Sequence, residues 1–371
     1  MTATKNDAAT QAQATQEKAS FDPVAFVVEQ TTRSMQASWN LTKHVLGIDR
    51  AKTSQSLRDE VYTDGKATLW HYRSDQVTMS PPVLLIPSLV SRAFIMDLQP
   101  GNSLVEHLIS RGFDVYMMDW GEPNEADAGN TLETYTHDML PRAVRTIDEM
   151  HDGSGVTLFG YCFGGILTLL YAAAYPDDPV VNLVQLATPI DFDEMPPAMM
   201  IAGKTGVDPD HVIDKTGNVP ASSVRGGFAL LTPTADLATV AGFFEKVHDD
   251  QFLANYQAMT SWTRDHVPFP GGVFRQTVDL FQDQNAIVND TVILNGEHVD
   301  LGDIKVPFLS ILGDKDHIVP ATSAEGLAKL VGSNDATELR LPAGHVGMII
   351  GRTAMTRHMP AFTDWIMDHS S

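Results

Sequence analysis

The chain has 371 residues, of which 43% are hydrophobic and 8% aromatic, so disorder throughout is excluded. At roughly 100–200 residues per domain, it is two or three small domains, or one large domain carrying an insertion. A formal net charge of −22 has the wrong sign for a nucleic-acid footprint or for attraction to an anionic membrane surface.

Residues 1–20 are rich in Ala, Thr and Gln and lack large apolar side chains, which predicts a disordered tail. No apolar run follows Met1, and no stretch reaches ~18 uninterrupted apolar residues, so neither a secretory signal nor a membrane span is expected. The expectation is a soluble cytoplasmic protein. From Asp22 to Ile48, Val24, Phe26, Val27, Met35, Trp39, Leu41, Val45 and Leu46 recur at helical spacing. Pro23 suits the start and Gly47 the end of one or two amphipathic helices. Their apolar face is expected to pack on the body of the protein; the alternative is a docking surface for another subunit.

Glu60–Thr63 and Ala67–Tyr72 flank Asp64-Gly65 and predict a hairpin. Val83–Ile86 reads as a short buried strand. Ser103 and Glu106 form a capping-box pattern that opens a helix stopped by Gly112. A strand over Asp114–Asp119 follows, then a helix from Thr131 to His151, with a kink or break expected at Pro141. Val156–Phe159 reads as a strand, Gly164–Tyr175 as a helix and Leu183–Leu186 as a strand. This alternation implies a parallel sheet covered on both faces. The rhythm fails between Pro189 and Lys305, which are Pro-punctuated and rich in Phe and Met, and resumes with strands at Val306–Leu312 and Glu338–Leu341. The expected organisation is a core from residues 21–188 and 306–371, interrupted by a cap subdomain over 189–305.

Gly160-Tyr161-Cys162-Phe163-Gly164-Gly165 joins the strand at Val156 to the following helix. Gly-X-Cys-X-Gly between strand and helix is the nucleophile elbow of α/β-hydrolases, with Cys in place of Ser. The central residue sits in a strained turn, and its neighbours must lack bulk for the chain to pass. A helix N-terminus favours thiolate over thiol, and the Phe163 amide is placed to bind an oxyanion. Cys162 is the only cysteine, which excludes intramolecular disulfides and multi-thiolate zinc sites.

The elbow requires an acid and then a histidine further along the chain. Asp314 and Asp316 both follow the strand that ends at Leu312, and both qualify as the acid. His345 follows the last strand and is the expected base; His317 reads as a supporting residue. A second oxyanion donor is expected from the loop Pro87–Arg92, from the amide of Leu89 or Val90, with Val90 preferred.

These residues resemble the polyhydroxyalkanoate synthases, which polymerise hydroxyacyl-CoA into storage polyester. The resemblance rests on Gly-Tyr-Cys-Phe-Gly-Gly, Asp97–Val105, Gly112–Tyr116 with Asp119-Trp120-Gly121, Val267–Gly271 with Phe274-Arg275-Gln276, Val299–Leu301 and Gly313–Pro320. It spans about residues 60–366. It implies an α/β-hydrolase fold with Cys162 as acyl-carrying nucleophile, Asp316 as acid and His345 as base, acting on short-chain (R)-3-hydroxyacyl-CoA. The length is similar to that of the class III and IV catalytic subunits, which implies a companion subunit, a possible homodimer and association with polyester granules. No cofactor and no metal are implied. Two segments depart from the family pattern, Thr263-Arg264-Asp265-His266 and Ser91-Arg92-Ala93-Phe94. Arg92, Arg264 and Arg275 lie near the motifs and are candidates for contact with the anionic CoA.

A cysteine suits this chemistry. Acyl transfer from CoA to Cys162 exchanges one thioester for another, so the acyl group stays activated until a hydroxyl takes it as an oxygen ester.

Overall fold

A computed structural model describes residues 22–48, 50–200, 202, 204, 206–231 and 243–370. The tail expected over 1–20 lies outside the described residues. Eight strands form the main sheet: β1 (Arg58–Asp64), β2 (Ala67–Tyr72), β3 (Val83–Ile86), β4 (Val115–Asp119), β5 (Val156–Tyr161), β6 (Val180–Leu186), β11 (Phe308–Gly313) and β12 (Ala336–Leu341). Their order is β1-β2-β4-β3-β5-β6-β11-β12. The hairpin β1–β2 and the β2–β4 pair are antiparallel, and the remaining pairs are parallel.

Continuous apolar runs in the central strands reflect burial on both faces. In β3, Leu84 and Ile86 join one apolar cluster while Val83 and Leu85 join the other, as side-chain alternation along a strand requires. Helices that flank the sheet include α2 (Leu104–Ser110), α3 (Leu140–Met150) and α4 (Phe163–Ala174). In α4 every residue but the last is buried, which explains its lack of a polar face.

Two local expectations change. The Ser103 side chain caps α2 by accepting from the Glu106 amide at 3.0 Å, but the Glu106 carboxylate accepts from the Gly101 amide at 2.7 Å, not from Ser103, so the box is half formed. The helix is not broken at Pro141, which lies in the first turn of α3; Thr134–Met139 is a π-helix that runs into α3. Pro141 lacks the amide that an α-helix would direct at residue 137, and the wider turn absorbs the missing donor.

The chain divides into two compact units, residues 1–50 with 240–253, and residues 51–239 with 254–371. In the first, α1 (Pro23–Leu46) is a single helix. Asn40 is buried and donates to the Val247 carbonyl at 2.7 Å. Val24, Phe26, Val27, Met35, Trp39, Val45 and Leu46 are exposed.

In the second unit, residues 189–239 and 254–305 contribute no strand to the main sheet among the described residues. They carry two short antiparallel pairs, β7 (Asn218–Val219) with β8 (Phe269–Pro270) and β9 (Ile293–Leu294) with β10 (Glu297–His298). Among the described residues no helix is long and apolar enough to cross a membrane.

Candidate active site

The site assembles where β3, β5, β11 and β12 end, since in open parallel sheets the loops beyond the strands' carboxyl ends form a crevice. β5 runs directly into Cys162, whose φ of 56° and ψ of −122° lie outside the regions that side-chain-bearing residues ordinarily occupy. Strain of this kind is of order 1–3 kcal/mol and persists only where the surroundings dictate it. Here the Cys162 amide donates to the Leu186 carbonyl, and its carbonyl accepts from the Gly165 amide, both at 2.9 Å.

The glycines are required by close approach. A Cβ on Gly164 would meet the backbone oxygens of Ile86 and Pro87, and one on Gly160 would meet Thr168 Oγ1 and the Gly165 backbone. Behind Gly165, Thr188 Oγ1 donates to Gln185 Oε1 at 2.8 Å and Gln185 Nε2 donates to Thr168 Oγ1 at 2.9 Å. This buried, mutually satisfied set fixes the base of the elbow.

His345 follows β12 and is buried. Its Nδ1 lies 2.7 Å from Asp316 Oδ2. Asp316 Oδ1 accepts from the amides of Ile318 at 2.8 Å and Val319 at 2.9 Å, so both carboxylate oxygens are engaged. Cys162 is near enough to His345 for the two to interact electrostatically. Burial pulls the His345 pKa down, but the Asp316 carboxylate, its hydrogen bond and the nearby Cys162 more than offset this and raise it to about 10.

The structure therefore brings Cys162, His345 and Asp316 together. It does not bring Asp314 there: that carboxylate is exposed and accepts from Arg340 at 3.0 Å. His317, expected as a supporting residue, is exposed, and no hydrogen bond joins it to Asp316 or His345. Tyr161 was not singled out from sequence, yet its ring stacks on that of His345. Its position beside Cys162 in the elbow was the only signal available.

Cys162, Phe163, Val90 and Ser88 are among the residues that line one cavity. Phe163 heads α4, so its amide has no partner within the helix. The Val90 amide lies 3.5 Å from Ser88 Oγ, whereas Leu89 packs into the core. The rest of the wall is largely apolar; Ile318 and Val319 come from the loop after β11, and the remainder from residues 189–305, including Phe192, Met195, Met199, Phe228, Phe269 and Phe274.

Two of the three candidate arginines are already paired. Arg92 meets Glu122 at 2.6 Å and Asp265 at 3.0 Å, and Arg275 meets Asp210 at 2.7 Å. Arg264 is exposed at the end of the helix Asp250–Arg264. The two segments that depart from the family pattern touch each other. Besides the Arg92–Asp265 pair, Ser91 and His266 form an isolated antiparallel bridge, and the Trp262 indole donates to the Arg92 carbonyl at 3.0 Å. Among the described residues no group of three or more His, Cys, Asp or Glu is arranged to hold a metal ion.

A family model described as the alpha/beta hydrolase fold matches residues 81–351. The chain is 33% identical over 330 residues to the poly(3-hydroxyalkanoate) polymerase subunit PhaC of Allochromatium vinosum, covering 87% of this chain and 92% of that one. It is 31% identical over 358 residues to the subunit of the same name from Haloferax mediterranei, covering 94% and 73%. A Sulfolobus solfataricus structure assigned as a lipase superposes with a TM-score of 0.55 at 15% identity, covering 84% of this chain and 93% of that one. The expected α/β-hydrolase architecture is the one observed.

Proposed function

The chain belongs to the poly(3-hydroxyalkanoate) polymerase family, and on that footing we propose that it polymerises short-chain (R)-3-hydroxyacyl-CoA into polyester, releasing CoA, through a thioester on Cys162. The observation that carries this reading is the electrostatic interaction of Cys162, which lines a largely apolar cavity, with the buried His345–Asp316 pair.

His345 takes the Cys162 proton, and the thiolate adds to the thioester carbonyl of the substrate. The Phe163 and Val90 amides hold the resulting oxyanion. The intermediate collapses with loss of the CoA thiolate, which leaves with the proton His345 had taken. The hydroxyl of a hydroxyacyl unit then attacks the Cys162 thioester. His345, or Asp316 in concert with it, accepts that hydroxyl proton, and Cys162 is regenerated as the ester forms.

Asp316 holds the imidazole by its Nδ1, which leaves Nε2 toward the sulfur and balances the imidazolium charge. Residues 189–305 act as a cap whose apolar walls exclude water, so a hydroxyl competes well against hydrolysis. The same reading places the enzyme at the surface of cytoplasmic polyester granules and gives it a companion subunit. The word subunit in both relatives' names supports the latter.

The test is incubation with 3-hydroxybutyryl-CoA, with and without cell extract containing a partner chain, followed by measurement of CoA and polymer. Release of CoA with polymer is expected. Free 3-hydroxybutyrate without polymer would make the protein a hydrolase.

A further inference from the structure

Gln282 lies within Thr277–Asp283, a π-helix, a local form found frequently at functional sites. Its side chain lines the same cavity as Cys162, and the residue is only 4% exposed. Its Nε2 approaches the Met199 carbonyl at 3.5 Å. A carbonyl can only accept, so this contact orients the carboxamide and leaves Oε1 as the free acceptor. That oxygen is buried and has no hydrogen-bond partner among the described residues.

A buried unpaired carbonyl oxygen is unfavourable by about 1–3 kcal/mol unless something donates to it. The other polar groups of the wall are differently placed. Thr277 donates to the Val273 carbonyl at 2.8 Å, Ser223 is exposed, and Ser88 Oγ lies 3.5 Å from the Val90 amide. Among the described residues Gln282 is the one carboxamide in an otherwise largely apolar wall.

We infer that Gln282 is a specificity residue whose Oε1 accepts a hydrogen bond from the 3-hydroxyl of the hydroxyacyl unit. The chemistry of the substrate narrows the donor. Ester and thioester oxygens only accept, so a bound polyester segment offers Oε1 nothing except its terminal hydroxyl. In the acyl group of the incoming thioester the 3-hydroxyl is the only donor, whereas the pantetheine arm donates from amide N–H groups. A largely apolar cavity lined by Cys162 suits the acyl group. Sites that hydrogen-bond a substrate hydroxyl reject the analogue lacking it far more strongly than apolar sites reject an added methylene.

This inference rests on the synthase reading, and the experiment separates the two. The first acyl transfer needs no polymerisation, so 3-hydroxybutyryl-CoA and butyryl-CoA can be compared by rapid-mixing measurement of the first equivalent of CoA released. The wild type is expected to favour the hydroxylated thioester by roughly 10²–10⁴-fold. Gln282→Met, of similar volume, is expected to reduce that ratio to below about tenfold, mainly by slowing the hydroxylated substrate. Gln282→Asn, which withdraws the acceptor by one methylene, is expected to lower the ratio as well and serves if the first variant fails to fold.

A wild-type ratio near one, or an unchanged ratio in a folded variant, overturns the assignment. Equal loss on both substrates also overturns it, because it assigns Oε1 to a pantetheine N–H. No CoA release by the wild type from 3-hydroxybutyryl-CoA, with the partner extract present, overturns the synthase reading itself.

Discussion

The ring of Tyr161 lies 5.0 Å from the imidazole of His345 at an interplanar angle of 29°, and its hydroxyl reaches the carbonyl oxygen of the same histidine at 3.5 Å. Burial pushes the Tyr161 phenol well above its ordinary pKa, so it remains a donor throughout the working range. The residue before the nucleophile thus braces the base. Tyr161→Leu is expected to lower kcat by about 10–100-fold, because a misplaced imidazole loses its approach to sulfur. Tyr161→Phe keeps the ring and is expected to stay within about tenfold of wild type. Steady-state CoA release with both variants checks this; equal loss in the two would assign the effect to the hydroxyl.

Asp314 and Asp316 are two residues apart and differ in every contact. The first faces Arg340 at the surface, and the second accepts from His345 and from two backbone amides. Asp316→Asn is expected to reduce CoA release by ~10²–10⁴-fold, and Asp314→Asn by less than about threefold. The reverse ranking would place the acid at Asp314.

The raised pKa of His345 fixes the sign of a pH effect on stability. The folded state holds this proton more tightly than the unfolded chain, whose histidines titrate near 6.5. The stabilisation is therefore fully present below about pH 6.5 and is lost as pH rises toward about 10. Comparison of wild type with His345→Gln by urea unfolding cancels the other titrations. Their difference is expected to shrink steadily between those two pH values; a difference independent of pH would mean that the imidazole carries no such shift.

Arg92 ties the loop after β3, which bears Val90, to Asp265 and Glu122. All three side chains are partly solvated, so the pairs together are worth about 1 kcal/mol or less. Arg92→Met is expected to lower the thermal midpoint at low ionic strength, and the deficit is expected to narrow in ~1 M salt. A deficit that ignores salt would point to packing of the arginine stem instead.

Much of this site was legible because steric and topological rules are local. Gly160 and Gly164 announce the elbow because no side chain fits against the backbone of Ile86 and Pro87 or the hydroxyl of Thr168. Val83–Ile86 reads as a buried strand because both of its faces are covered. Position alone left Asp314 and Asp316 equivalent, since the distinction lies in which carboxylate turns inward to His345. Whether residues 22–48 form one helix or two was not legible, because the apolar spacing is the same in either case. Gln282 was invisible too, because it is one of four amide side chains between Gln276 and Asn285 and nothing in their spacing sets it apart; its significance arises only from the cavity beside it. Tyr161 could have been flagged only by its place next to Cys162.

The central claim concerns the sulfur of Cys162, and it is tested most directly by peptide mass spectrometry after a brief quench of the protein with 3-hydroxybutyryl-CoA. The account predicts hydroxybutyryl units on the peptide bearing Cys162, removable by hydroxylamine, and no CoA release from Cys162→Ala. An unmodified Cys162 peptide alongside undiminished CoA release in Cys162→Ala would contradict it.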